Sequence, residues 1–292
     1  MFTGMAHLDR PWRSFHDELL RWYDHWLKGK ATGVMDEPPV RVYVMGANRW
    51  RYADDWPLPE TRWTRFHLDA WERLRTEPFT PHSRDGNPAP DGFLQMPPTQ
   101  TRTIQKLRYL TEPLARDTLV IGPASLTLFA AIDQADTNWF VTLKDVGPDV
   151  SQRTALPGEM EVPANLPERV VSRGWLKASH RALDAERSRP WKPWHKLTRE
   201  AQQPVVPGEI TEYAIELMST ANLFRRGHRI CLEISSMDLP TGVGGNTNVE
   251  YVPWHVCSSR MTSHHVYRDA AHPSHLLLPV IPYDGEADRD DA

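Results

Sequence analysis

A serine hydrolase of the α/β type exposes its nucleophilic hydroxyl on a sharp strand-to-helix turn, written G-x-S-x-G because only small neighbours let the backbone make that turn. No such pentapeptide occurs in the chain, and the nearest match is Gly122-Pro123-Ala124-Ser125. Leu126 and Thr127 follow directly, so the segment has the pattern of a strand. We therefore predict that Ser125 is not a nucleophile.

Four histidines lie within twelve residues and are candidate metal ligands: His264, His265, His272 and His275. Adjacent residues of a strand point to opposite faces, so His264 and His265 do not readily face one ion. No H-E-x-x-H or C-x-x-C motif supports a metal site. We interpret the four as turn and surface histidines and predict no metal or cofactor.

A glycine-rich run, Gly242-Val243-Gly244-Gly245-Asn246, lacks the lysine and the following helix of a phosphate loop, so it is interpreted as a mobile loop.

His7 lies in a short loop, Gly4–Asp9, directly before a helical pattern. In α/β-hydrolases the catalytic histidine comes last in the order Ser, Asp, His, on a loop before the last helix. There it takes the proton of the nucleophile. On local evidence His7 is either this base or an incidental loop histidine.

The helical pattern predicts an amphipathic helix over residues 12–28. Its apolar residues recur at helical spacing and form a wide apolar face: Phe15, Leu19, Trp22 and Trp26, with Leu20, Tyr23 and Leu27 beside them. Gly29 is a plausible stop.

Tryptophans at six positions border the predicted loops: Trp50, Trp56, Trp63, Trp71, Trp191 and Trp194. Amphipathic rings of this kind pack as lids on a core. The alternative is a ledge on which a sugar stacks.

The 292 residues carry a net charge of −4, so nucleic acid and anionic membranes are not expected partners. No apolar run reaches the roughly 18 residues of a membrane span, and the first residues lack a signal-peptide pattern. We expect a cytoplasmic protein. The two cysteines, Cys231 and Cys257, are expected to be reduced and buried, although a single bridge remains an alternative.

Beyond the helix, short alternating segments between Pro, Gly and Asn indicate nine or ten strands. Residues 76–105 and 179–208 are predicted to be long loops, and no βαβ alternation indicates a parallel sheet. By strand count the pattern predicts a two-sheet sandwich of jelly-roll type. The tail at residues 284–292 is acidic and is expected to be disordered. The predicted strands are Val40–Met45, Trp63–Leu68, Thr118–Ile121, Ser125–Ile132, Asn138–Asp145, Arg169–Ala178, Ile210–Leu217, His228–Ser236, His264–Tyr267 and His275–Val280.

Several segments in a fixed order resemble the CocE/NonD hydrolases, the family of cocaine esterase and X-Pro dipeptidyl-peptidases. In that family a last helix ending in W-L-K-G leads into P-P-V-x-V-x-V-M-G-x-x-x-W-R and a W-P. Here the matching residues are Trp26–Gly29, Pro38–Gly46 with Trp50-Arg51, and Trp56-Pro57. The later matches are Ser219–Asn222, Phe224, Gly227–Ile230 and His272–Ile281, so the resemblance runs from about residue 4 to residue 282.

The resemblance implies a mainly β fold: a jelly-roll, galactose-binding-like sandwich at residues 36–283, preceded at residues 1–35 by the end of an α/β-hydrolase domain. It also implies a Ser-His-Asp triad of which His7 is the member carried here. The family loop often reads G-P-x-x-H, whereas Gly4–His7 is one residue shorter and lacks the proline.

Two functions are open. The first is the C-terminal part of a serine-type hydrolase that acts on carboxylic esters or X-Pro amides by an acyl-enzyme route. That part would be inactive alone, because the nucleophile and the acid belong to an N-terminal α/β-hydrolase domain. The second is a stand-alone module that binds carbohydrate or a protein. Under the first, the helix face of Phe15, Leu19, Trp22 and Trp26 is expected to be partly exposed in the isolated chain, which favours homo-oligomers or aggregation.

Overall fold

The computed structural model describes residues 15–78, 89–97, 100–101, 103–148, 167–237, 260–283 and 285. These residues form one α-helix, a short 3-10 turn at Ala178–His180, and thirteen strands. The helix α1 spans Phe15–Lys28. The strands are β1 Val40–Val44, β2 Arg49–Ala53, β3 Arg62–Asp69, β4 Arg73–Arg75, β5 Asp91–Gln95, β6 Lys106–Leu110, β7 Thr118–Ile132, β8 Asn138–Val146, β9 Glu168–Lys177, β10 Thr211–Phe224, β11 Arg229–Ser235, β12 Thr262–Tyr267 and β13 His275–Ile281.

Eleven strands pair in the order β10-β9-β8-β11-β6-β4-β3-β13-β7-β12-β5, and β7 also pairs with β10, so the pairing returns to its start. Two links in this ring are single residue pairs. Leu217 of β10 faces Gly174 of β9, and Arg73 of β4 faces Leu110 of β6. These narrow links divide the ring into a four-strand part, β9-β8-β11-β6, and a larger part that contains β7.

The main core lies between the two parts. It combines buried side chains of the four-strand part, such as Trp139 and Leu232, with Leu126 and Tyr213 of the larger part. Apolar side chains from facing strands exclude water from this interior, which is the largest favourable contribution to folding. The prediction of a mainly β, sandwich-like chain is therefore confirmed.

The strands β1 and β2 form a separate two-stranded hairpin. Backbone hydrogen bonds join it to β10, because Met45 N–H donates to Ala221 O and Leu223 N–H donates to Met45 O. A second, smaller core cluster holds its inner side and includes Val44, Leu119 and Leu223.

Two expectations about elements are wrong. The stretch at residues 76–105 is not one loop, because β5 (Asp91–Gln95) lies inside it and pairs with β12. Thr118–Ile121 and Ser125–Ile132 are not two strands but one, β7, which runs through Gly122 and Pro123. The loop predicted at 179–208 contains two isolated β-bridges, Leu183 with His195 and Arg189 with Lys192, but no strand. No helix in the described part of the chain is long and apolar enough to cross a membrane.

Candidate functional site

The most unusual surface of the described chain is the outer side of α1. We call this set of six side chains the apolar face; all are exposed, from 37% for Leu19 to 76% for Leu27: Leu19, Leu20, Trp22, Tyr23, Trp26 and Leu27. No described side chain of α1 belongs to either core cluster. The predicted exposure of Leu19, Trp22 and Trp26 is confirmed, while the side chain of Phe15 lies outside the described set.

The opposite, polar side of α1 is turned toward the rest of the chain. At about 100° per residue, Glu18 and Arg21 lie across the helix from the apolar face. Arg41 of β1 donates a hydrogen bond to Glu18 at 3.1 Å, and Arg21 donates one to Glu37. An ordinary surface helix buries its apolar stripe and exposes its polar side. In this chain the apolar stripe is exposed, and the partly shielded Glu18 and Arg21 on the polar side contact the rest of the chain.

The outer side of the β1–β2 hairpin carries a second group of aromatic rings. Register places Arg41 opposite Tyr52 and Tyr43 opposite Trp50, so these four side chains share one side of the hairpin. The rings of Tyr43 and Trp50 meet edge to face at 5.3 Å, and the Arg41 guanidinium lies 5.0 Å from the Trp50 ring. Trp50 and Tyr52 are exposed. Such a surface, apolar with charges at its border, is typical of a site that another protein covers.

Beneath the hairpin turn lies a cluster of polar side chains that the sequence did not indicate, centred on the buried Asp145 and Asn222. Asp145 of β8 is only 4% exposed in its side chain, and His228 Nδ1 lies 2.7 Å from its Oδ1. Arg169 donates to Asp145 at 3.1 Å and to Asn222 at 2.8 Å. The histidine and aspartate resemble part of a proton-transfer relay, but no serine among the described residues forms a hydrogen bond with the His228 ring. Hydrogen bonds of this kind fix the packing of neighbouring strands, although the buried Nε of Arg169 has no hydrogen-bond partner among the described residues.

Ser125 is buried in β7 and donates its hydroxyl hydrogen to the Pro190 carbonyl at 2.7 Å. A serine that is inaccessible and already bonded to a backbone oxygen has no activated hydroxyl to offer a substrate. Its contact anchors the loop after β9 to the sheet.

The four histidines of the 264–275 region are separated by the fold. His264 is buried and His265 is exposed, so the opposite-face prediction is confirmed. The interpretation of all four as turn and surface residues is wrong for His264, whose ring stacks on Phe93 at 4.4 Å and lies edge-on to Trp139. Among the described residues no group of three or more His, Cys, Asp or Glu side chains is placed to hold a metal ion.

Three of the six tryptophans have ring faces that are covered by other side chains of the chain, whereas Trp71 is largely exposed. Trp63 of β3 stacks on Trp191 with ring centroids 5.3 Å apart, and Arg187 lies 3.7 Å from the Trp194 ring. These contacts use ring faces that a sugar would need, so they favour lid packing for Trp63, Trp191 and Trp194. Trp71 is 75% exposed and follows β3 at a left-handed turn.

Four sequence predictions lie outside the described residues: His7, the Gly242–Asn246 run, Cys257 and, except for Gly285, the acidic tail at residues 284–292. Cys231 is described; it is free and buried, and burial raises the pKa of its thiol to about 11.

The residues that sequence reasoning missed are those whose partners are distant in the chain. His228 and Asp145 are 83 positions apart, and Glu18 and Arg41 are 23 apart. No local pattern marks such pairs. The one feature of this surface that the sequence did indicate was the apolar stripe of α1, which is wider than packing against a single sheet edge requires.

Most of the chain is similar to known proteins. Residues 32–277 match the profile of the X-Pro dipeptidyl-peptidase C-terminal non-catalytic domain. A protein of Mycobacterium bovis named as a serine esterase is 30% identical, over 94% of this chain and 42% of its own length. The cocaine esterase of a Rhodococcus species is 27% identical, over 89% of this chain and 45% of its own.

Solved structures agree on the fold. An aminopeptidase from a marine sediment archaeon superposes with a TM-score of 0.64 at 23% identity, covering 97% of this chain and 46% of that one. A CocE/NonD family hydrolase of Staphylococcus aureus gives a TM-score of 0.64 at 20% identity, covering 92% of this chain and 46% of that one. The chain thus spans less than half the length of these relatives.

Proposed function

We propose, because the chain belongs to the family of X-Pro dipeptidyl-peptidase C-terminal non-catalytic domains, that it is the C-terminal part of a serine-type hydrolase. The substrates we propose are carboxylic esters or X-Pro amides. The finer architecture of the proposal is a jelly-roll, galactose-binding-like sandwich at residues 36–283, with residues 1–35 as the end of an α/β-hydrolase domain.

The outward-facing apolar side of α1 is the observation that carries this proposal. A helix whose apolar stripe faces water is stabilised when another apolar surface covers it, and burial contributes about 25 cal/mol per Å². Trp22 and Trp26 are 48% and 56% exposed, so much of two large rings remains to be buried. An α/β-hydrolase domain packed on α1 and on the aromatic side of the hairpin would cover both.

The mechanism we propose is an acyl-enzyme route shared between the two parts. A serine hydroxyl of the catalytic part attacks the substrate carbonyl carbon while His7 takes its proton. His7 then gives that proton to the leaving alcohol or amine, and water releases the acid in a second step. The catalytic part supplies the serine and the aspartate that orients His7.

The binding-module alternative has less support, because the rings of Trp63, Trp191 and Trp194 already contact partners within the chain. It predicts saturable binding of a glycan to the isolated chain. The hydrolase proposal predicts no such binding and no turnover of a p-nitrophenyl ester by the chain alone.

The decisive experiment joins the chain to an α/β-hydrolase region, by fusion or co-expression, and measures ester and X-Pro amide turnover. Positioned general-base help is worth about 10²–10⁴-fold, so His7→Ala is expected to lower kcat by at least about a hundredfold. His16→Ala and His25→Ala are matched controls, because both residues lie on α1 rather than in the loop before it. If His7→Ala retains more than about a tenth of kcat, His7 is not the base.

A further inference from the structure

The contacts between α1 and the hairpin are built from alternating charges. Glu18 accepts hydrogen bonds from Arg21 at 2.8 Å and from Arg41 at 3.1 Å, while Arg21 also donates to Glu37. The four side chains therefore form a chain of contacts in the order Glu37, Arg21, Glu18, Arg41. Two belong to α1 and two to the segment that enters the hairpin.

Each charge in this chain is partly shielded and has an opposite neighbour. The four side chains are between 29% and 39% exposed. Partial burial by itself would raise the pKa of Glu18, but hydrogen bonds from Arg21 and Arg41 outweigh it and lower the pKa. The hydrogen bond from Arg21 lowers the pKa of Glu37. Several linked charges contribute more than isolated surface pairs do.

The covalent connection between α1 and the hairpin passes through two glycines. Gly29 ends α1 at φ 67°, and Gly33 follows at φ 72°. Both are left-handed conformations that glycine adopts without strain, and added Cβ atoms would meet nothing at Gly29. Because α1 shares no side chain with the two core clusters, the linker and the core do not by themselves set its direction.

We propose that Glu18, Arg21, Glu37 and Arg41 form an electrostatic joint that holds α1 against the hairpin with its apolar face outward, and that ionic strength sets how firmly it is held. Screening shortens the reach of exposed charges from roughly 10 Å at about 0.1 M salt to roughly 3 Å at about 1 M. Apolar packing is not weakened by charge screening, and some salts strengthen it. The joint therefore presents the apolar face at low salt and releases α1 at high salt.

The test is hydrogen–deuterium exchange of the complete chain, following peptides within residues 15–28. A released helix of this length is marginal in water, so its amides exchange faster. Since exposed pairs contribute at most a few-fold each, we expect α1 to exchange about three- to twentyfold faster in about 1 M than in about 0.1 M NaCl. Peptides from β7 serve as the internal reference and are expected not to change.

Charge exchange separates the joint from general salt effects. The helix-only variant E18R/R21E keeps net charge and the contact within α1, but it places Arg against Arg41 and Glu against Glu37. The α1 amides of this variant are expected to exchange fast at both salt concentrations. The variant E18R/R21E/E37R/R41E restores every opposite-charge contact, so its α1 amides are expected to exchange slowly again at low salt. The recovery is expected to be incomplete, because R41E removes the contact of the Arg41 guanidinium with the Trp50 ring.

The joint is refuted if wild-type α1 exchanges at the same rate at both salt concentrations, or if the fourfold variant remains as fast as the helix-only variant. Should a variant fail to fold, which exchange in β7 reveals, the wild-type salt dependence decides alone. No catalytic partner is involved, so failure here is distinct from failure of the proposed hydrolase function.

Discussion

At the scale of single residues, His264 is a histidine that the fold removes almost completely from water. It is 1% exposed, lies between Phe93 and Trp139, and has its Nε2 2.8 Å from Thr137 Oγ1. Burial disfavours the imidazolium form and lowers the pKa of His264 to about 4. Burial likewise lowers the pKa of His67 and of His275, which lie side by side on β3 and β13.

The lowered pKa values predict an acid-sensitive fold. In the unfolded chain a histidine takes a proton near pH 6.5, whereas folded His264 takes it near 4. Between those values the unfolded state binds more protons, so the free energy of unfolding falls as pH falls. We expect His264 to account for a loss of about 2–3 kcal/mol between about pH 6.5 and about pH 4.

Urea unfolding as a function of pH checks this. His264→Gln removes the titrating group and should flatten the profile in that window, although its stability near pH 7 falls too. His265→Gln is the control, because His265 is the next residue on the same strand and its side chain is exposed. Equal slopes for the two variants would show that the pH dependence arises elsewhere.

Residue environments were only partly predictable. Alternation along β12 gave the opposite orientations of His264 and His265 but not which of them faces the core. That choice depends on Phe93 and Trp139, which belong to other strands. Ser125 shows the converse case, since its apolar neighbours correctly predicted a strand position and excluded an exposed nucleophile.

At the scale of elements, the hairpin is fixed at its turn by Gly46. This residue has φ 80°, and a Cβ there would lie 2.4 Å from Leu223 O and 3.2 Å from an Arg169 nitrogen. Arg225 donates to the Gly46 carbonyl from the other side at 3.0 Å. The close approach lets β1 reach β10, and thereby positions the aromatic side of the hairpin.

Gly46→Ala is therefore expected to be costly. The left-handed conformation costs an alanine about 1 kcal/mol, and overpacking against backbone adds about 1–3 kcal/mol. We expect the free energy of unfolding to fall by about 2–4 kcal/mol, with faster amide exchange in the hairpin. Gly208→Ala is the matched control: φ is 83° and nothing lies within 4 Å of an added Cβ, so only the conformational cost applies. Equal losses in the two variants would contradict the steric argument.

Strand prediction succeeded where apolar and polar residues alternate, as in β3 and β8. It failed for some strands of only five residues: β2 (Arg49–Ala53) contains two arginines, and β5 (Asp91–Gln95) contains a glycine within a proline-rich stretch. It also divided or shortened long strands at residues that normally interrupt a sheet. The pairing of β7 with β10 shifts register between Leu217 and Thr220, and this irregularity accommodates Gly122 and Pro123 in β7.

At the scale of the whole molecule, the described chain combines a well-packed sandwich with one helix whose apolar side is exposed. The family resemblance and the helical periodicity predicted both the β-rich fold and the exposed stripe. The charges that orient the helix were beyond prediction, because Arg41 and Glu37 meet α1 only after the chain reverses at Gly29 and Gly33. Which side of α1 faces outward is thus set by contacts with the rest of the fold and not by the helix sequence alone.

An uncovered apolar face has a consequence for the isolated chain in solution. Two copies can bury the face against each other, so we expect concentration-dependent self-association. Leu20 and Leu27 are 60% and 76% exposed, and burying a leucine contributes about 1.5–3 kcal/mol. The variant L20K/L27K is expected to weaken association at least about tenfold in Kd, while leaving the sandwich intact because neither side chain belongs to a core cluster.

Sedimentation equilibrium over a range of protein concentrations measures this effect. The control L183K/L197K makes the same chemical change and adds the same charge at two other exposed leucines, 38% and 70% accessible, in the loop after β9. Repulsion from added charge would weaken association equally in both variants, whereas burial of the apolar face requires L20K/L27K alone to do so. Wild-type chain that stays monomeric at every concentration would mean that water covers this face at little cost, and the main support for a docked catalytic domain would be lost.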